Sequence, residues 1–166
     1  MSLKQMDDSI IDFAKRVRSK YEYNVGNVLE IGSYNVNGTI RDAFQDGSRS
    51  YIGIDSQVGP CVDLVMDAEK LSDVFLPGSF DTIVCCECLE HTVRPWVVVE
   101  AMRKLLKPGG MMFISTPTFE FRLHRYPIDC YRFGEDAYRL FMFEGFDILE
   151  LEHVHPTIIA CAGILR

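Results

Sequence analysis

The order of short apolar runs and helical segments limits the folds that this chain can adopt. Apolar runs at 28–31, 51–54 and 80–86 are separated by segments with helical character. Parallel strands need a crossover of about a dozen residues or more, usually a helix, whereas strands joined by a short turn pair antiparallel. The alternation therefore predicts a parallel sheet with helices on both faces.

The rest of the chain extends this pattern. Pro95 lies in the first turn of a predicted helix, and helices are also expected at 39–45, 68–75 and about 135–143. A His-Pro turn joins the last two strands, which must then pair antiparallel. We predict a Rossmann-like, doubly wound, seven-stranded sheet that is mostly parallel and ends in an antiparallel hairpin. Its predicted strands are 28–31, 51–54, 62–65, 80–86, 111–115, 146–154 and 157–165.

The N-terminal segment, 1–25, predicts a helix that packs on the core. Leu3, Met6, Ile10, Phe13 and Val17 recur at spacings of three and four residues. No repeat or low-complexity linker interrupts the sequence, so residues 1–166 are expected to form a single domain.

Composition limits the possible partners. A net charge of −7 argues against general binding to nucleic acid, which depends on cationic neutralisation of phosphates. No apolar stretch reaches the roughly 18–20 residues of a membrane span. The N-terminus lacks the apolar core of a secretory signal, so the sequence predicts a cytoplasmic protein with reduced thiols.

The cysteines raise the question of a metal. Cys85 and Cys86 are expected to face opposite sides of a strand because side chains alternate there. Cys85 and Cys88 have the spacing of half a zinc site, and His91 is nearby, but no second pair follows. The sequence therefore predicts no metal site.

Candidate ligand-binding residues follow the predicted strands, where open α/β sheets bind ligands. Asp55 ends the second strand and can accept hydrogen bonds from both hydroxyls of a ribose. The first loop has Gly32 and Gly38 with Tyr34 between them, rather than the Gly-x-Gly-x-x-Gly that a pyrophosphate requires. This loop favours S-adenosylmethionine, which has no phosphate, over NAD, and disfavours an NAD-dependent oxidoreductase.

Five motifs in order resemble those of class I S-adenosylmethionine-dependent methyltransferases, most closely the type 11 group. The similarity runs from about Val28 to the C-terminus, although the first loop departs from the common Gly-x-Gly-x-Gly form. That loop and residues 124–133 resemble a subgroup similar to enzymes of glycan and surface-sugar biosynthesis. The motifs are Val-Leu-Glu-Ile-Gly-Ser (28–33), Tyr-Ile-Gly-Ile-Asp (51–55), Gly-Ser-Phe-Asp (78–81), Leu-Glu-His (89–91) and Leu-Lys-Pro-Gly-Gly (106–110).

The resemblance implies a donor site and its ligands, S-adenosylmethionine and the product S-adenosylhomocysteine. Asp67 would meet the adenine amino group, and Glu87 would lie at the sulfonium side. Alternatives remain: Asp55 as a turn residue, Asp67 as a helix cap and Glu90 as a solvated charge. The predicted donor-binding residues are Glu30, Gly32, Ser33, Tyr34, Asn37, Asp55, Ser56, Asp67, Ala68 and Glu87.

The segment 116–133 is a long loop, and loops of this length in compact domains tend to be functional or disordered. Its aromatic residues favour an ordered loop that forms the acceptor site. His91, His124 and Tyr131 are the predicted catalytic residues, with Asp129 and Arg132 as further polar groups. The alternative is that Asp129 and Arg132 form an ion pair that only holds the loop in place.

The predicted activity is methyl transfer to an unidentified acceptor, with a glycan or another sugar-containing compound as the narrower hypothesis. The sequence lacks the Asp/Asn-Pro-Pro-Tyr motif that usually marks enzymes acting on base nitrogens or glutamine amides. The alternative is a non-catalytic S-adenosylmethionine-binding partner or regulatory subunit. No large insertion is expected to enclose the acceptor, and a homodimer partner could supply the missing wall.

Overall fold

The computed structural model describes residues 8–36 and 38–166 and contains one seven-stranded sheet. The order of the strands is β3-β2-β1-β4-β5-β7-β6, so the direction of winding reverses between β1 and β4. Strands β1 to β5 pair in parallel, whereas β7 pairs antiparallel with β5 and β6. This confirms the predicted fold. The strands are β1 (Asn27–Ile31), β2 (Ser50–Asp55), β3 (Leu64–Val65), β4 (Phe80–Cys86), β5 (Leu106–Pro117), β6 (Phe146–His155) and β7 (Ile158–Leu165).

Helices cover both faces of the sheet. In β4, Ile83 and Cys85 point to one hydrophobic cluster, and Val84 and Cys86 point to the other. The predicted alternation of the two cysteines is therefore confirmed. Helices α1 and α2 lie on the Val84 face, and α3, α4 and α5 lie on the Ile83 face. The helices are α1 (Asp8–Lys20), α2 (Arg41–Phe44), α3 (Leu71–Val74), α4 (Pro95–Leu105) and α5 (Glu135–Ala137), which continues as a π-helical turn (Tyr138–Met142).

The N-terminal helix packs on the sheet through the stripe that its spacing predicts. Ile10, Phe13 and Val17 are buried, and the Phe13 ring lies 5.7 Å from that of Phe113 in β5. Phe44 of α2 contacts the same ring at 5.4 Å. Leu3 and Met6 lie outside the described residues. None of the helices in the described parts of the chain is both long and apolar enough to cross a bilayer.

Strand β3 and helix α2 are shorter than predicted, and three further elements differ in kind or extent. The segment predicted as one helix at 68–75 is a 3₁₀ turn (Ala68–Lys70) followed by α3, and the Asp67 carboxylate caps the turn at the Glu69 N–H. Strand β5 begins at Leu106, and the predicted turn at 107–110 is a bulge in its pairing with β4. The last helix widens into a π turn, in which the Phe143 N–H donates to the Tyr138 carbonyl.

Candidate functional site

Gly32 is the point where the loops after β1 and β4 meet. Its φ angle is +77°, a conformation that favours glycine. A Cβ atom at this position would lie 2.7 Å from Cβ of Cys88. The absence of a side chain at Gly32 therefore brings the two loops together at the switch point of the sheet, where open α/β folds bind ligands.

Asp55 lies at the carboxyl end of β2, next to this contact. Its Oδ2 accepts the Tyr34 N–H at 3.3 Å, and its Oδ1 accepts the Gln57 N–H at 3.0 Å. Oδ2 keeps a lone pair for a hydroxyl donor, whereas at Oδ1 a ribose hydroxyl would compete with the Ser56 hydroxyl, which lies 3.5 Å away. Asp55 is half-buried and Ser56 beside it is exposed. Asp55 can therefore stabilise the turn and still accept a hydrogen bond from a ribose.

The β1–α2 loop is held by the loop that follows β2. The Tyr34 ring packs on Gly59, where a Cβ atom would lie only 2.1 Å from the ring. The Asn35 N–H donates to the Pro60 carbonyl at 3.0 Å. Ser33 is 2% exposed and its hydroxyl has no hydrogen-bond partner among the described residues. Asn37 lies outside the described residues, so its predicted role stays a prediction.

Asp67 is exposed at the end of β3 and serves as a helix cap. Its Oδ1 accepts the Glu69 N–H at 2.9 Å, which leaves Oδ2 for another donor. Ala68 is half-buried beside it. Glu69 in turn accepts hydrogen bonds from Arg94, which ties this turn to the start of α4. The structure thus supports the capping role, and the predicted contact with adenine remains compatible with it.

Glu30, the first residue of the predicted donor set, is enclosed beneath α2. It is 2% exposed and accepts the Tyr51 hydroxyl at 2.9 Å, with Arg41 Nε 3.7 Å away. Burial raises the pKa of the Glu30 carboxyl to about 7, although Tyr51 and Arg41 oppose the shift. Glu30 therefore supports the β1 end from inside the fold.

This shift predicts a pH-dependent stability. A carboxyl whose pKa is raised on folding stabilises the protein fully below the unfolded pKa and loses this contribution as the pH rises through the folded pKa. A rise of the pKa from its ordinary value of 4.5 to about 7 corresponds to about 3 kcal/mol, lost between about pH 4.5 and 7. Urea unfolding at several pH values, comparing wild type with Glu30→Gln, should show wild type losing this amount relative to the variant. A difference that stays flat across this range would contradict the assignment.

Glu87 directly follows β4 and has a left-handed backbone, with φ of +48°. Such a conformation is uncommon for a residue with a side chain and is often found at functional sites. The Ser115 hydroxyl donates to Glu87 Oε1 at 3.1 Å, and the Glu87 N–H donates to the Ser115 carbonyl at 3.0 Å. The carboxylate is thereby fixed at the end of the strand that lies beside Gly32.

Glu90, His91 and His124 form a polar cluster just beyond Glu87. Glu90 Oε1 lies 3.6 Å from Nε2 of His91 and 3.8 Å from Nε2 of His124. The two rings contact each other edge to face, 4.8 Å apart. Glu90 is 0% exposed, so the interpretation of Glu90 as a solvated charge is wrong. Burial raises the pKa of Glu90, and burial together with His91 lowers that of His124.

The predicted acceptor loop is ordered by the ion pair between Asp129 and Arg132. Arg132 Nη2 donates to Asp129 Oδ2 at 2.8 Å and to the Arg122 carbonyl at 3.0 Å, and the His124 N–H donates to Asp129 at 2.6 Å. Arg132 holds the pKa of Asp129 well below its usual range. The alternative that this pair holds the loop in place is therefore supported, and the same bonds position His124.

Two further bonds fasten the loop over the segment that follows β4. The Cys130 N–H donates to the Glu90 carbonyl at 2.8 Å, and the Tyr131 hydroxyl donates to the Val93 carbonyl at 2.9 Å. Tyr131 thus joins the two segments, and its predicted catalytic role stays a prediction. The loop is shorter than expected at its start, because β5 continues to Pro117.

The comparisons with known proteins agree with this geometry. The model of a family described as a methyltransferase domain matches residues 3–152. The chain belongs to this family. The predicted methyltransferase class is thereby confirmed at the level of the family. The narrower subgroup associated with glycans stays a prediction.

Solved methyltransferases share the fold at low sequence identity. The 1,6-didemethyltoxoflavin-N1-methyltransferase of Burkholderia thailandensis, solved with its namesake compound and S-adenosylhomocysteine, gives a TM-score of 0.74 at 15% identity. That match covers 96% of this chain and 79% of the other. N-methyltransferase NodS from Bradyrhizobium japonicum, also solved with S-adenosylhomocysteine, gives 0.71 at 16% identity over 99% of this chain and 89% of the other.

Curated relatives resemble this chain over shorter stretches. A ubiquinone biosynthesis O-methyltransferase from Pseudomonas aeruginosa is 34% identical over 103 residues, which are 54% of this chain and 43% of that protein. The protein of the same name from Xanthomonas euvesicatoria is 55% identical over 40 residues, 24% of this chain and 17% of that protein. The chain thus spans less than half the length of the curated relatives it matches.

Proposed function

We propose that this chain binds S-adenosylmethionine at the carboxyl ends of β1, β2 and β4 and transfers its methyl group to a hydroxyl oxygen of a small molecule. The observation that carries this proposal is the close meeting of the Gly32 and Cys88 loops beside Asp55. Asp55 holds the ribose, Asp67 with Ala68 lies at the adenine, and Glu87 lies at the sulfonium. Gly32, Ser33 and Tyr34 lie around the methionine end, and Asn37 remains a predicted member of the same set.

The acceptor site lies between the segment that follows β4 and the loop 118–134. Its polar groups, His91 and His124, both direct Nε2 towards Glu90. In methyl transfer the acceptor oxygen forms a bond to the methyl carbon while the carbon–sulfur bond breaks, and S-adenosylhomocysteine leaves. Catalysis then depends mainly on holding the oxygen in line with the departing sulfur. The hydroxyl proton passes to a base at the His91–His124 side of the site.

Oxygen as the accepting atom is supported by the names of the curated relatives, which are O-methyltransferases. The sugar-containing acceptor that the sequence of the loop favours is a narrower form of the same proposal, because sugars also present hydroxyl groups. Phenolic hydroxyls lose a proton more readily than sugar hydroxyls, so the two classes depend differently on a base.

The experiment is a turnover assay with S-adenosylmethionine and two panels of acceptors, one of phenols and catechols and one of sugars and sugar nucleotides. Formation of S-adenosylhomocysteine together with a methylated product identifies the acceptor class. Turnover with a phenol would exclude the sugar form, and turnover with a sugar would confirm it. Donor binding without turnover on either panel would favour the non-catalytic S-adenosylmethionine-binding subunit.

A further inference from the structure

The cluster of Glu90, His91 and His124 has the dimensions of a metal site. One ligand atom from each residue lies within 4.8 Å of the other two. Bonds of about 2.0–2.1 Å in a tetrahedral arrangement place neighbouring ligand atoms about 3.3 Å apart. The two distances from Glu90 Oε1, 3.6 and 3.8 Å, exceed this spacing by only a few tenths of an ångström.

Hydrogen bonds among the three side chains do not explain why Glu90, His91 and His124 lie together. Distances of 3.6 and 3.8 Å are too long for hydrogen bonds between Glu90 and the two imidazoles. The Glu90 side chain is fully buried, and neither of its oxygens has a hydrogen-bond partner of normal geometry among the described residues. A buried carboxyl without partners is costly, and a bound cation would remove that cost.

In both histidines Nδ1, the ring nitrogen that does not face Glu90, lies near an oxygen atom, as is common in metal sites. His91 Nδ1 lies 2.5 Å from the Ile128 carbonyl oxygen, which can only accept, so Nδ1 carries a proton and, in the neutral ring, Nε2 has the lone pair. His124 Nδ1 lies 3.2 Å from Asp129 Oδ2, close enough for electrostatic attraction although the contact lacks the geometry of a hydrogen bond. Histidine ligands of metals commonly face a carbonyl or carboxylate on the nitrogen away from the metal, which fixes the tautomer and the orientation of the ring.

We propose that Glu90, His91 and His124 bind one divalent transition-metal ion, with Zn²⁺ as the reference ion. Two imidazole nitrogens and one carboxylate oxygen favour Zn²⁺, Co²⁺, Mn²⁺ or Fe²⁺ over Mg²⁺, which prefers oxygen ligands. Three protein ligands leave a coordination position open, as in catalytic zinc sites. This site departs from the sequence expectation of no metal, which considered only Cys85, Cys88 and His91.

The open position suggests a role in acceptor binding, and this part rests on the proposed function. The loop that carries His124 is fastened to the Glu90 segment by the Cys130 N–H. The bound ion would therefore also hold the loop against the segment that follows β4. An acceptor hydroxyl as the remaining ligand would be positioned beside the donor cleft. Because both Nε2 lone pairs would then bind the ion, its proton would pass to solvent rather than to a histidine.

The test uses the full chain after removal of metals with a chelator, in the absence of any methyl donor. Titration with Co²⁺ is followed by visible absorption, and competition with Zn²⁺ gives its affinity. Wild type should bind about one equivalent, with the spectrum of nitrogen and oxygen ligands. Glu90→Gln and His124→Ala should each lower the affinity by about 100-fold or more. His153→Ala, a change at a half-exposed histidine on β6, is the matched control and should bind as wild type does.

Circular dichroism and thermal unfolding show whether each variant is folded, and His124→Ala tests the site even if Glu90→Gln does not fold. Failure of folded wild type to bind Co²⁺ or Zn²⁺ in stoichiometric amount would overturn the proposal. Binding that both variants retain, or binding of Mg²⁺ alone, would also overturn it. Donor binding measured on the same samples separates this outcome from failure of the proposed function, because the donor residues are different ones.

Discussion

Gly32→Ala is expected to destabilise the protein by about 2–5 kcal/mol and to reduce donor binding strongly. A non-glycine residue in the left-handed region costs about 1–2 kcal/mol. The added Cβ would also lie 2.7 Å from Cβ and 2.9 Å from Sγ of Cys88, and forcing apart such a contact costs about 1–3 kcal/mol. Urea unfolding measures the first effect, and calorimetric titration with S-adenosylhomocysteine measures the second.

Gly78→Ala is the matched control for this change. Gly78 also has a positive φ angle, +66°, but a Cβ there would meet nothing within 4 Å. This variant should therefore show only the backbone cost, about 1–2 kcal/mol, and should bind the donor as wild type does. Equal destabilisation by the two substitutions would mean that the contact between the β1 and β4 loops does not limit the site.

Asp55→Ala is expected to lower the affinity for S-adenosylmethionine by about 10- to 150-fold. Hydrogen bonds to a charged group are worth about 1.5–3 kcal/mol, and the ribose would lose its acceptor. The variant also removes the acceptor of the Tyr34 and Gln57 N–H groups, which loosens the loop on the donor site. Equilibrium binding of radiolabelled donor provides the measurement.

Asp73→Ala serves as the control, since Asp73 is an exposed carboxylate on α3. It changes the net charge by the same amount but should leave the donor affinity unchanged. If Asp55→Ala binds the donor with wild-type affinity, Asp55 is only a turn residue. If both variants weaken binding equally, the effect is one of overall charge.

The sheet could be predicted from the sequence because its strands and turns are each marked by a short run of neighbouring residues. The run 80–86 was predicted as a strand and is β4 with the same bounds, since an apolar stretch of this length between turn residues has few alternatives. The short turn between β6 and β7 permits only antiparallel pairing, as observed. The bounds of α2 and α3 were less predictable, because caps and tertiary contacts decide where short helices end.

The donor set could also be anticipated, because each strand end is marked in the sequence. The acceptor loop also predicts that His91 and His124 share one site, but the sequence does not place Glu90 between them, because His124 meets Glu90 only when the loop folds back. Asp129 and Arg132 make that fold possible through the bonds that fix the His124 backbone. The adjacent pair Glu90–His91 is the local signal for this cluster, but the spacing of Cys85 and Cys88 beside His91 favours thiol ligands instead.

Calorimetric titration of the wild-type chain with S-adenosylmethionine, and separately with S-adenosylhomocysteine, measures directly whether the chain is a donor-binding protein. We expect about one site per chain with a dissociation constant in the micromolar range for both compounds, near −8 kcal/mol. A folded chain that binds neither compound at millimolar concentration would contradict it.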